Sequence, residues 1–209
     1  MKQVITRDGS VTFFNEQYGD YYHSHTVGAI EEGIVKFAEP CRIRDGMKIL
    51  DVCFGLGYNT LSALSFSKNI EVIGLENDAG ILEKIEQMEV PSKYIEDYKI
   101  IREVAKSHNL VSGRLKIRIL LGDARQTVKE AGQGFDAVFL DPFSPRKCPE
   151  LWTREFLSEI FKRMNKGAIL ATYSCATHVR KNLADAGFTV KDGPIFGRKS
   201  PATIGIKKG

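Results

Sequence analysis

The chain is predicted to be an α/β protein: a mostly parallel, seven-stranded sheet with helices on both faces, an antiparallel final strand and a small N-terminal hairpin and helix extension. Three observations predict it. Apolar runs of strand length alternate with segments of helical period from Met47 to Ala186. A glycine-bearing turn, Phe54-Gly55-Leu56-Gly57, follows the first of those runs. Two β-prone segments close the sequence with no room for a helix between them, so they must pair antiparallel.

Taken in order, Asp8-Gly9-Ser10 is a turn signal before the short β-prone run Val11 to Phe14. Val27, Ile30, Ile34, Phe37 and Ala38 then recur at helical spacing, with Ser24 as candidate N-cap and Pro40 beyond the end. The aromatic cluster Tyr18, Tyr21, Tyr22 and His23 before that helix is either core or the wall of a pocket, and reads as core when taken alone. Core strands are expected at Met47 to Phe54, Glu71 to Leu75, Leu115 to Leu121, Phe135 to Leu140 and Ala168 to Tyr173, with the late pair at Phe188 to Lys191 and Ala202 to Lys207. Helices are expected at Asn59 to Ser67, Ala79 to Met88, about Tyr94 to Ser107, Ala124 to Ala131, Leu151 to Met164 and Thr177 to Ala186. No repeat or interdomain linker interrupts them, so residues 1–209 read as one domain, with 1–44 an N-terminal extension and 45–209 the core.

Composition narrows the class. With 209 residues, 43% hydrophobic and 27% charged, the sequence suits one sizeable soluble domain. No run approaches a membrane span and the first ten residues are too polar for a signal peptide, so a cytoplasmic location and no membrane partner are expected. Cys41, Cys53, Cys148 and Cys175 are scattered with no ligand-spaced partners, which suggests neither metal nor disulfide. The net charge of +4 is uneven: residues 1–141 carry 17 Lys+Arg against 21 Asp+Glu, and residues 142–209 carry 13 against 5. Such a basic C-terminal third is either a solvated face or a surface for a phosphate-rich partner.

In open α/β sheets, ligands bind beyond the carboxyl ends of the strands. Those ends are acidic here, at Asp51, Glu76, Asp123 and Asp141. Gly55 and Gly57 lack the Cβ that would block a close backbone approach, although glycines also serve packing. Glu76 stands 19 residues after Gly57, near the spacing at which an acid receives ribose hydroxyls; the competing reading is a surface acid. Asp123 suits an adenine amino group or the N-cap of the helix that follows, and the two roles are compatible. Asp141 before Pro142 is either a reactive carboxylate or a turn-stabilising one. A three-glycine dinucleotide fingerprint is absent, which favours a different nucleotide.

Together, DVCFGLGYNT at strand one, the acid after strand two, GDA after strand three and FLDPF after strand four resemble the Rossmann-like class I S-adenosylmethionine-dependent methyltransferases. Cys53 departs from their glycine-rich pattern and tightens the cradle. Over nearly the whole chain, FLDPFSPRKCPELW (Phe139 to Trp152), with Thr172-Tyr173-Ser174, Val179-Arg180, Ala186-Gly187-Phe188, Phe196-Gly197-Arg198-Lys199 and the N-terminal DGS and YHS, is similar to the methyltransferase module of the MnmC-type tRNA-modifying enzymes. Cys148 and Ser200 stand where asparagine and a basic residue are frequent in that family, which bears on fine substrate contacts.

The resemblance implies methylation of the exocyclic amine of 5-aminomethyluridine, often 2-thiolated, at the tRNA wobble position, without the flavin oxidase domain of the bifunctional relatives. It implies S-adenosyl-L-methionine held by Asp51, Phe54, Gly55, Gly57, Asn59, Glu76, Asn77, Asp123, Ala124 and Asp141, with Asp141 catalytic as the group that accepts or orients the amine proton. Tyr22, His23, Phe143, Pro145, Lys147, Tyr173, Arg198 and Lys199 are the expected acceptor and RNA contacts: aromatic rings stack a flipped base and cations meet phosphate, with Arg146, Arg180 and Lys181 adding charge. Trp152 reads as core. Two other functions fit the same fold. An aminopropyltransferase of spermidine synthase type would carry an aspartate after its glycines, where Leu56, Gly57 and Tyr58 follow Gly55, and would prefer acidic surroundings. A non-catalytic RNA-binding module would have no need of Glu76, Asp123 and Asp141 together.

Overall fold

The computed structural model describes residues 2–24 and 26–208. Met1 of the expected extension and Gly209 at the end of the expected core lie outside the described residues. Strands β1 (Gln3–Ile5), β2 (Val11–Asn15) and β3 (Asp20–Tyr21) form a three-stranded antiparallel sheet, one strand more than a hairpin. Helix α1 (Ala29–Gly33) runs into a π-helical turn over Ile34–Ala38, in which the Glu39 N–H donates to the Ile34 carbonyl at 2.9 Å. The main sheet is built from β4 (Lys48–Val52), β5 (Glu71–Glu76), β6 (Asn109–Ser112), β7 (Leu115–Leu121), β8 (Phe135–Leu140), β9 (Met164–Thr172), β10 (Thr189–Asp192) and β11 (Thr203–Ile206). Its helices are α2 (Tyr58–Leu64), α3 (Ala79–Ile85), α4 (Ile95–Ser107), α5 (Ala124–Glu130), α6 (Arg154–Arg163) and α7 (Thr177–Asp185).

The strand order is β10-β11-β9-β8-β4-β5-β7-β6, with β7, β5, β4, β8 and β9 parallel and β11 antiparallel to β9. Eight strands replace the expected seven. The addition is β6, an edge strand antiparallel to β7, reached through His108 in the left-handed region (φ 55°). The late pair is antiparallel at the edge of the sheet, as expected, with β11 between β9 and β10.

Central strands are buried on both faces, which is why β4 and β8 read as nearly continuous apolar runs. Alternate residues feed two cores. Ile49, Val72, Ile117 and Ala137 pack with Leu61, Ile81, Tyr98 and Ile101 of α2, α3 and α4. Leu50, Val52, Ile73, Leu75, Val138 and Leu140 pack with Val128, Leu157 and Leu183 of α5, α6 and α7. The result is three layers.

The N-terminal segment belongs to the first core through Val11 and Phe13. It is also bonded to it: the buried Tyr58 hydroxyl accepts from the Val11 N–H at 3.0 Å and donates to the Val11 carbonyl at 2.8 Å. Ser24 does not cap α1, whose N-cap is Gly28. The donors of its first turn are met from a distance by the Asp8 turn, where Asp8 Oδ2 accepts from the Ile30 and Glu31 N–H groups at 3.0 Å each. A Cβ at Gly28 would collide with Asp8, and one at Gly33 would collide with Ser62 Oγ of α2, so α1 lies close against both.

Candidate active site

The chain builds β4, β5 and β7 outward in one direction and then crosses back to β8, making the β4/β8 boundary the topological switch point of the sheet. The strand ends there are in register, with Val52 beside Leu75 and Leu140, and Glu76 beside Leu121. A cleft of about 630 Å³ opens beyond them. Gly55, Glu76, Asn77, Asp123, Ala124 and Asp141 line it, together with Tyr22, His23, Phe143 and Tyr173.

The turn after β4 is strained where it matters. Cys53 has φ 66°, a left-handed conformation costing a residue with a Cβ about 1–2 kcal/mol, and it lines the cleft where the related pattern carries glycine. Gly55 (φ 53°) also lines the cleft; a side chain there would stand 3.5 Å from Tyr22 Cδ1, within the space between turn and aromatic wall. Its N–H donates to Glu76 Oε2 at 2.7 Å. Glu76 Oε1 accepts from the Asn77 and Asp78 N–H groups at 2.8 Å each, so three of roughly four acceptor positions on this carboxylate fix the loops. The remaining position, on Oε2, is free for a ligand hydroxyl. Burial raises the Glu76 pKa while these three donors oppose the rise.

Asp141 and Asn59 meet at the switch point. The Asn59 amide donates from Nδ2 to Asp141 Oδ2 at 2.8 Å, and the Asp141 N–H donates to the Val52 carbonyl at 3.2 Å. Burial, and then the charge of Glu32, hold the Asp141 carboxyl well above the usual range. Asp51 lies beneath, fully buried, accepting from the Thr60 hydroxyl at 2.7 Å; burial pushes its pKa up to about 7.

Several expected residues support the cleft without lining it. Asp51 is one; Phe54 is another, its ring packed under Gly74 and Gly57. Gly57 (φ 75°) caps α2, where a Cβ would meet Ile101 Cγ2 at 2.5 Å. Asn59 touches the lining residue Asp141 without lining the cleft itself. Pro145, Lys147, Arg198 and Lys199 also lie outside the lining. Lys147 is exposed and donates to the Gly19 carbonyl at 3.3 Å, and Lys199 is exposed. Arg198 donates to the Tyr173 carbonyl and sits 6.0 Å over the Tyr173 ring, so it buttresses a lining residue. Arg180 and Lys181 are paired with Asp192 and Asp185. Trp152 is core, its indole N–H donating to the Phe143 carbonyl at 2.9 Å.

Of the two readings of the N-terminal aromatics, core or pocket wall, the structure shows the pocket wall. Tyr18, Tyr21, Tyr22 and His23 all line the cleft, because the three-stranded sheet folds over it. Tyr18 stacks on Phe143 at 4.4 Å, covering one face of that ring. The Tyr22 hydroxyl donates to Asp78 Oδ2 at 2.7 Å, and burial, followed by that bond, raises its pKa. Burial keeps His23 below the ordinary histidine pKa, hence neutral near pH 7. Asp123 caps α5 through the Arg125 N–H and is gripped by the Arg125 guanidinium at 2.5–3.0 Å, which lowers its pKa. Sequence reasoning missed Tyr18 as a lining residue, together with Glu32, Cys53, Arg125, Cys148 and Glu150.

An acid with one free acceptor position, a glycine turn that leaves room beside an aromatic wall and apolar Leu75 and Leu151 suit the ribose and base of an adenosyl group. Fold and cleft together define a nucleotide-cofactor transferase of the methyltransferase class. The model of a family described as S-adenosyl-L-methionine-dependent methyltransferase matches residues 86–208, and the chain belongs to that family. Within it the chain is similar to MnmC-type members. The crystal structure of MnmC2 from Aquifex aeolicus superposes with a TM-score of 0.86 at 37% identity, covering 98% of this chain and 69% of that one. An uncharacterized protein of Methanocaldococcus jannaschii is 35% identical over 98% of this chain and 59% of its own length. The tRNA 5-methylaminomethyl-2-thiouridine biosynthesis bifunctional protein MnmC of Leptospira interrogans is 27% identical over 97% of this chain. The chain spans only 35% of that bifunctional relative. A spermidine synthase structure shares the fold, with a TM-score of 0.60, at 12% identity. Among the described residues no helix is long and apolar enough to cross a membrane, and no group of three or more His, Cys, Asp or Glu is placed to hold a metal ion.

Proposed function

We propose that this methyltransferase acts on the exocyclic amine of 5-aminomethyluridine, with or without 2-thiolation, at the wobble position of tRNA, in the cytoplasm. The observation that carries the reading is Asp141: a carboxyl at the switch point, oriented by Asn59, in a cleft walled by Phe143 and Tyr173. The 5-methylaminomethyl-2-thiouridine biosynthesis for which the Leptospira relative is named and the likeness to Aquifex MnmC2 support it. The spermidine synthase likeness is one of fold alone.

S-adenosyl-L-methionine, when bound, supplies a sulfonium methyl to a nucleophile. Gly55, Glu76, Asn77, Asp123 and Ala124 would hold its adenosyl part, with Asp123 depending on how Arg125 is placed. The chain's own task is to make an amine nucleophilic. An alkylammonium has no free lone pair, so a nearby base must take a proton first. A carboxyl with a raised pKa is a stronger base than an ordinary aspartate, and approach of the cation favours its ionised form. Asn59 keeps Oδ2 engaged and leaves Oδ1 toward the cleft. Tyr173, its hydroxyl donating to the Pro142 carbonyl at 3.0 Å, fixes an apolar wall that excludes water. Exposed Arg146, Lys147 and Lys199 are the proposed phosphate contacts at the rim.

The test is transfer of a labelled methyl from S-adenosyl-L-methionine to tRNA bearing 5-aminomethyluridine. Label in that tRNA and none in tRNA with unmodified uridine is the expected result; aminopropyl transfer from decarboxylated donor to a polyamine would establish the other activity.

A further inference from the structure

We propose that Glu32 is the second carboxylate of an ammonium-binding cage: it holds the cationic amine of the acceptor while Asp141 receives its proton. This deepens the proposed function and rests on the acceptor being an amine.

Glu32 lies in α1, far from Asp141 in sequence, yet both line the same cleft. The packing of α1 on α2 brings them together. A Cβ on Gly33, the residue after Glu32, would stand 3.3 Å from Asn59 Oδ1, and the Nδ2 of the same amide holds Asp141. The position of α1 is fixed by Asp8 at its N-terminus.

Only one oxygen of Glu32 is engaged. Oε1 pairs with Lys36, whose side chain is 5% exposed against 14% for Glu32. Oε2 has no hydrogen-bond partner among the described residues and is not shut away from solvent, so it is available within the cleft. Lys36 pairs with one oxygen of Glu32 and leaves the other unsatisfied. Asp141 Oδ1 is free in the same way.

Two carboxylates facing one cavity cannot both ionise cheaply unless a cation lies between them. Asp141 responds accordingly: after burial, the proximity of Glu32 is the next cause that raises its pKa. Among the described residues the neighbouring cations are committed, Lys36 to Glu32 and the cleft-lining Arg125 to Asp123, while burial keeps His23 below the ordinary histidine pKa. An ammonium meets an unsatisfied charge; a hydroxyl of the same shape does not.

The cage is tested with benzylammonium and its neutral analogue benzyl alcohol, titrated into the protein near pH 7. The wild type is expected to favour the cation by roughly 10-fold or more, and Glu32→Gln to reduce the preference to about 2-fold or less. Since Glu32→Gln leaves Lys36 buried and unpaired, the double variant Glu32→Gln/Lys36→Met removes both charges and is expected to show the same loss. Donor affinity is measured alongside. A retained preference in both variants, no preference in the wild type, or a parallel loss of donor affinity overturns the assignment. Charge discrimination in a wild type that methylates no tRNA would support the cage and remove the tRNA reading.

Discussion

Asn59 Nδ2 donates to Asp141 Oδ2 across 2.8 Å, joining the first turn of α2 to the end of β8. A base held this way is oriented as well as positioned. Asp141→Ala is expected to lower kcat by roughly 10²-fold or more, with little change in donor affinity. Asn59→Ala should lower kcat by about 10-fold, the smaller loss of a positioning residue. Single-turnover rates and donor titrations separate the two effects; unimpaired turnover in Asp141→Ala would remove it from the reaction.

Glu76 gathers three backbone N–H groups on its carboxylate. In Glu76→Gln one oxygen becomes an NH₂ that must face a backbone donor. S-adenosyl-L-methionine affinity should fall by roughly 10-fold to 100-fold, the worth of one or two charge-assisted hydrogen bonds. Isothermal titration showing unchanged affinity would mean that the donor does not use this acid.

Gly57 is required sterically. At φ 75° an added Cβ would lie 2.5 Å from Ile101 Cγ2 and 3.0 Å from Phe54 Cζ. Overpacking and left-handed strain together should make Gly57→Ala less stable by about 2–4 kcal/mol. Denaturant unfolding measures this directly, and an unchanged midpoint would show that the turn relaxes freely.

Asp51 gives stability a pH dependence of definite sign. Its folded pKa is raised to about 7 by burial, above the unfolded value. Its contribution is therefore fully present in acid and is lost as pH rises through about 7. Asp51→Asn is neutral throughout. The melting temperature of the wild type minus that of Asp51→Asn should fall between about pH 4, the unfolded value, and about pH 7. Parallel profiles would show that Asp51 ionises as readily folded as unfolded.

Much of this was legible in the sequence because burial leaves a simple signature. β4 and β8 are apolar on both faces, and acids at their ends stand out against such runs. Glu76 and Asp141 could be named from position alone. β6 could not, since Asn-Leu-Val-Ser after His108 reads as the loop leaving α4, and only pairing with β7 makes it a strand. The aromatic wall is legible only in part: the sequence offers Tyr22, Phe143 and Tyr173 as acceptor contacts, but not Tyr18. Tyr18 and Tyr22 line the cleft because Tyr58 ties the N-terminal sheet down through Val11, a contact between residues 47 apart. Glu32 and Lys36 look in sequence like an ordinary solvated i,i+4 pair. The burial of Lys36, the part-burial of Glu32 and the π-helical turn that carries Lys36 are tertiary facts.

The most direct measurement is the mass of the wobble nucleoside from tRNA bearing 5-aminomethyluridine after incubation with the protein and S-adenosyl-L-methionine. The expected result is a gain of one methyl on the aminomethyl group, absent with Asp141→Ala and absent from tRNA with unmodified uridine. No gain, with the donor bound, would contradict the proposed acceptor.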